Sequence, residues 1–154
     1  MKLEVGKVIV TGAGSGMGKH FALALKRAGA KVAAVEINDE ALGALATEAK
    51  AIDAGELRTY VCNVADEDAV VATVKQAGED LGGLNGLINC AGIFRDGLLV
   101  KKDRKTGEVK KLSAAAWQAV IDVDLTGPFL MTREFAAQII EGDIKESVVI
   151  NISS

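Results

Sequence analysis

Short β-branched runs alternate with longer helix-periodic stretches along this chain. Lys7-Val8-Ile9-Val10-Thr11 is continuously apolar at its centre, as expected of a strand covered on both faces in a parallel sheet. Glycines follow, then a helical pattern over about 16–28 that Gly29 ends. A second strand over 31–36 stops at Asn38, a favourable N-cap with Asp39 and Glu40 behind it, and the next helix is predicted to reach about Ile52. A third strand over 57–62 leads to Asp66, which can cap a helix ending near Leu81; a fourth strand covers 84–89. Ser113 caps a long Ala-rich helix running towards Glu141, with a bend predicted at Gly127-Pro128, and a fifth strand covers 147–152. Strand and helix thus alternate, which predicts an α/β fold with a parallel sheet, doubly wound because right-handed crossovers place helices on both faces.

Composition narrows the picture. The chain has 154 residues, 49% hydrophobic and 25% charged, which suits one globular domain; at 4% aromatic, its core must come from Val, Ile, Leu and Ala. A net charge of −3 gives no electrostatic footprint for nucleic acid. Cys62 and Cys90 lie in apolar settings and read as buried structural thiols of a reduced protein. The first residues lack the apolar core of a signal peptide, and no run approaches the roughly 20 apolar residues of a membrane span, so the expected address is the cytoplasm. His20 is the single histidine, without a Cys/His cluster around it, so it reads as a surface or packing residue and no metal is expected. Residues 101–111 break the rhythm with six basic and two acidic residues around Thr106-Gly107. A solvated hairpin-like loop is the plainest reading; a lid and a patch for an anionic carrier are the others.

Candidate chemistry begins at Thr11-Gly12-Ala13-Gly14-Ser15-Gly16-Met17-Gly18, between the first strand and the first helix. Glycines allow a tight turn and close backbone approach, and a helix N-terminus offers N–H groups to a pyrophosphate. Glu36 ends the following strand, where an acid accepts hydrogen bonds from an adenosine ribose. A turn without a ligand and a methyltransferase loop are the competing readings.

The spacing Gly12, Gly16, Gly18 in Thr-Gly-x-x-x-Gly-x-Gly resembles the cofactor motif of classical short-chain dehydrogenases/reductases. Asn63-Val64 looks like the family's adenine-holding Asp-Val, and Asn89-Cys90-Ala91-Gly92 like its Asn-Asn-Ala-Gly. Asp122-Val123-Asp124-Leu125-Thr126-Gly127 is similar to Asn-x-Asn-Leu-x-Gly on the long helix, and the segment from Val149 to Ser154 to the strand that leads to the catalytic serine. The matching strand ends at 89–92 and 151–154 speak against a methyltransferase. The resemblance implies a Rossmann-type sheet and a cofactor site formed by Gly12, Ser15, Gly16, Met17, Gly18, Glu36, Ile37, Asn63, Val64, Asn89, Ala91 and Gly92. It assigns catalytic places to Ser154 and, where the family has an asparagine, to Asp124.

The family also uses a Tyr-x-x-x-Lys pair, whereas Tyr60, the single tyrosine, lies in the third strand with Val64 four residues on. The chain therefore reads as the N-terminal part, broken off after the fifth strand, of a single-domain dehydrogenase of roughly 250 residues. As it stands it is expected to be inactive, and a non-catalytic dinucleotide-binding half-domain is the alternative. The implied reaction interconverts a secondary alcohol and a ketone, and the stretch from Ala91 to Gly97 looks like that of 3-oxoacyl carrier-protein reductases. NAD is expected over NADP: Glu36 would repel a 2′-phosphate, Ser15 stands where NADP users often carry a base, and Ile37-Asn38 add none. A homodimer or homotetramer is expected through the helix from Ser113, whose Trp117, Phe129 and Phe135 exceed what one sheet face needs.

Overall fold

The computed structural model describes residues 2–95 and 97–153. The elements are β1 (Lys7–Thr11), α1 (Gly16–Arg27), β2 (Lys31–Glu36), α2 (Asp39–Ala49), β3 (Glu56–Val61), α3 (Glu67–Leu81) and β4 (Gly86–Asn89). There follow β5 (Val100–Lys102), β6 (Val109–Lys111), α4 (Ala114–Ile121), α5 (Gly127–Glu141) and β7 (Val148–Asn151). Five strands form one parallel sheet in the order β3-β2-β1-β4-β7. The chain winds outward from β1 to β3, then returns to β1's other side with β4. That reversal opens a crevice at the C-terminal ends of β1 and β4, the place where such sheets take ligands.

The side chains of β1 alternate between two cores. Val8 and Val10 pack with Val32, Ala34, Leu23, Leu42 and Leu45 beneath α1 and α2. Ile9 packs with Val35, Leu87, Val74, Leu81 and Met131 beneath α3 and α5. Burial on both faces is why this strand reads as a continuous apolar run. Helix starts follow their caps: Asn38 Oδ1 accepts from the Ala41 N–H at 3.1 Å, Asp66 Oδ1 from Ala69 at 3.1 Å and Ser113 Oγ from Ala116 at 3.1 Å. Gly82, left-handed at φ 72°, ends α3. At the far end of α1, buried Lys26 donates to the carbonyls of Ile52 and Ala54 at 2.8 and 2.7 Å, fixing the turn before β3.

Three expectations are corrected. The long helix is interrupted by a π-helical turn, Asp122–Thr126, in which the Gly127 N–H donates to the carbonyl of Asp122. Pro128 then sits in the first turn of α5, directly after the π turn, so the irregularity precedes the Gly-Pro pair. Phe135 is not spare surface: it is 1% exposed, inside the core under α3, whereas Trp117 and Phe129 are exposed. Helix α2 ends at Ala49, and 50–52 close as a turn through bonds to Thr47, Glu48 and Ala49.

The basic segment forms an antiparallel hairpin, with Val100 opposite Lys111 and Lys102 opposite Val109, and all six strand residues are exposed. Asp103 Oδ1 braces its turn by accepting from Lys105 and Thr106 at 2.8 and 3.0 Å. Among the described residues no helix is long and apolar enough to cross a membrane.

Candidate functional site

The crevice at the β1/β4 reversal is a cavity of about 370 Å³. Its wall on one side is the turn from β1 into α1. Gly12 takes φ 66°, and a Cβ there would lie 2.8 Å from Ala91 Cα, so glycine lets the loops after β1 and β4 touch. A Cβ on Gly18 would lie 2.1 Å from the Gly12 carbonyl oxygen; only glycine lets the first turn of α1 fold back on β1's exit. Thr11, buried beneath, accepts through Oγ1 from the N–H groups of Cys90 and Ala91, both at 3.0 Å. The two loops are thereby stitched into one floor.

Ser15 has the extended backbone of an N-cap, yet its side chain makes no capping bond and the first turn of α1 holds no acid. The N–H groups and the positive dipole end of α1 are left available at the cleft. Glu36, at the end of β2, is fixed by its own backbone surroundings. Its Oε1 accepts from Ile37 and Asn38 at 2.8 and 3.2 Å and its Oε2 from Gly14 at 3.2 Å. Its carboxylate is a fixed negative charge at the rim.

Every residue named from the sequence as a cofactor contact lines this cavity except Asn89. Asn89 is buried behind it, donating to Asn151 Oδ1 at 2.8 Å and Thr132 Oγ1 at 3.2 Å, and so ties β4 to β7 and α5. Asn63 is held by a bond from the Ala65 N–H to its Oδ1 at 3.1 Å. Asp124 lies outside the lining, exposed on the π turn, where its Oδ1 accepts from the Ile93 N–H at 2.9 Å. That bond uses only an acceptor, so a carboxylate serves it as well as an amide. Ser154 lies outside the described residues, as does Asp96.

A model of the short chain dehydrogenase family matches residues 6–154. The chain belongs to this family. The 3-oxoacyl-acyl-carrier-protein reductase of Thermotoga maritima is 34% identical over 154 residues, covering 100% of this chain and 57% of that protein. The acetoacetyl-CoA reductase of Paracoccus denitrificans is 37% identical over 147 residues, covering 95% and 53% respectively. A crystal structure of a short-chain type dehydrogenase/reductase from Mycobacterium marinum superposes with a TM-score of 0.82 at 26% identity, covering 99% of this chain and 58% of that one. The chain spans about half the length of the relatives it matches.

In this member of the short chain dehydrogenase family the cleft also takes in Val35, Cys62, Cys90, Ile93 and Val123. Cys90 corrects an expectation: it is only half-buried, because it lies on the loop past β4. Burial pushes both thiols above their ordinary range, with a Thr73 hydrogen bond opposing the effect at Cys62. His20 is exposed on α1, edge-on to Phe21. Tyr60 donates to Asp80 Oδ2 at 2.8 Å as a tether between β3 and α3, and burial, with this bond second, raises its pKa.

Proposed function

We propose that the full-length protein is an NAD(H)-dependent oxidoreductase interconverting a secondary alcohol and a ketone, and that this cleft holds the dinucleotide. The residues fit that group. The uncapped N–H groups of α1 suit the pyrophosphate, and Glu36 presents a carboxylate already oriented by three backbone donors to accept from ribose hydroxyls. The fixed position of Glu36 is the observation that carries the choice of NAD. A 2′-phosphate about 4 Å from this carboxylate would be opposed by roughly 1–4 kcal/mol, and the residues lining the cleft include no lysine or arginine to offset it. Bound there, the nicotinamide supplies or accepts the hydride. On this reading Asn63 and Val64 face the adenine, and Ala91 and Gly92 form the wall opposite the glycine turn. Asp124 positions Ile93 and Ser154 orients the substrate oxygen.

The names of the two relatives and the stretch from Ala91 to Gly97 support a 3-hydroxyacyl/3-oxoacyl substrate. Exposed Trp117, Leu125 and Phe129 on and between α4 and α5 support a homodimer or homotetramer through that helix, and the cytoplasm is the compartment we assign. Calorimetric titration of the full-length protein with NADH and NADPH tests the cofactor choice. NADH is expected to bind at least about tenfold tighter, and Glu36→Gln to narrow the gap to about threefold by removing the charge. Equal or tighter NADPH binding by the unaltered protein overturns it.

A further inference from the structure

The hairpin of β5 and β6 is unexplained by the cleft. Its register sets Lys101 directly opposite Lys110 on one face, and like charges so placed destabilise a strand pair. The other face carries Val100 and Val109 with Lys102 and Lys111 beside them. Two strands of three residues are marginal by themselves, and every one of these side chains is exposed. Such a sequence is poorly suited to stabilising its own ribbon.

Charge and apolar surface are concentrated here. Residues 100–111 hold six basic and two acidic side chains, against twelve basic and nineteen acidic in the rest of the chain. Among the described residues the one ion pair on this segment's basic side chains is Lys110 with Glu108, at 3.7 Å. Phe94, Leu98 and Leu99, 88%, 68% and 76% exposed, lead into it. An apolar strip flanked by cations, of which only Lys110 is ion-paired among the described residues, is the composition of an interface that awaits a partner. The chain leaves the cleft lining at Ile93 and enters the hairpin at Val100, seven residues later.

We propose that this hairpin docks a partner protein whose surface carries carboxylates with apolar side chains between them. A free phosphate or other small anion would leave the apolar strip unused. A bilayer meets one face of a ribbon, whereas lysines stand on both faces here and valines on one, a distribution that suits a surface able to close around it. The proposal goes beyond the dinucleotide reading and stands without it.

The test uses the full-length protein and a fluorescent amphipathic helical peptide with Glu on one face and Leu on the other, beside its Gln counterpart. Anisotropy is measured at about 50 mM and about 300 mM salt, which shortens the screening length enough to weaken an ionic contact. The Glu peptide is expected to bind more weakly at high salt, and the Gln peptide not to bind. Lys101→Glu with Lys110→Glu is expected to lose at least about tenfold in affinity, while Lys75→Glu, at an exposed position of α3, loses none. Leu98→Ser with Leu99→Ser is expected to weaken binding without changing its salt dependence. Should the doubly reversed variant melt early, Lys102→Gln with Lys111→Gln replaces it, with a loss of about threefold expected. Unchanged affinity in the hairpin variants overturns the proposal. So does binding of the protein to phosphatidylglycerol vesicles with the same dependence on the four lysines, which assigns the hairpin to a lipid surface. Dissociation of an oligomer by the hairpin variants with peptide binding unchanged assigns it to a contact between copies.

Discussion

Helices α1, α2 and α3 all begin at the same edge of the sheet, yet the first begins unlike the other two. Asn38 and Asp66 cap α2 and α3 through their side chains, and Asp39, Glu40, Glu67 and Asp68 place negative charge in the first turns. Helix α1 has neither device: Ser15 makes no side-chain bond and its first turn is Gly16, Met17, Gly18 and Lys19. It is anchored instead from its other end, where Lys26 holds three carbonyls of the turn before β3. Local stability thus goes where the helix start has only a structural task, and is withheld where backbone donors face a cavity.

The largest effect is expected where α1 meets β1. Gly18→Ala sets a Cβ against the Gly12 carbonyl, rigid backbone on both sides, so the helix start must move. A destabilisation of about 3 kcal/mol in urea unfolding is expected, together with loss of detectable NADH binding by calorimetry. Wild-type stability in this variant would show that α1 does not depend on that contact.

Removing a cap should separate stability from binding. Asp66→Ala deletes the bond to the Ala69 N–H, and Asn38→Ala the bond to Ala41. Each is expected to cost about 1 kcal/mol of folding stability while NADH affinity stays within about twofold. A large loss of affinity in Asp66→Ala would mean that its helix start serves the cleft as well, and the comparison would fail.

Much of this arrangement is legible in the sequence because its causes are local. The apolar run at Val8-Ile9-Val10, the caps at Asn38 and Asp66 and Gly18 against the Gly12 carbonyl each act within a few residues, and the structure places them as their chemistry predicts. The cavity lining from Ile93, Val123 and Cys90 carries no such signal, since an apolar residue in a loop looks the same whether it faces a core or a cleft. The π turn at 122–126 was equally hidden: it depends on which carbonyl the Gly127 N–H selects, and Gly-Pro alone suggests only a bend. Asp124 could be assigned by resemblance, but its bond to Ile93 joins residues far apart in the chain and follows from tertiary packing.

The smallest expected effect is the most discriminating. Ser15 has N-cap dihedrals of φ −151° and ψ 173°, so by sequence and backbone it resembles a capping serine whose loss costs about 1 kcal/mol. Because its side chain accepts no bond from the helix, Ser15→Ala is expected to leave stability unchanged to within a few tenths of a kcal/mol. The converse substitution supplies what α1 lacks. Ser15→Asp brings a carboxylate to the positive end of the helix and to donors that are otherwise open, which should raise the stability of the protein alone by about 0.3–1 kcal/mol. The same carboxylate occupies the donors and repels a pyrophosphate, so NADH affinity should fall at least about tenfold while stability rises. Thermal unfolding and calorimetry on the same preparations read both changes. A Ser15→Ala variant that lost a full kcal/mol would show that the serine caps α1 after all, and the donors assigned to the cleft would already be spoken for.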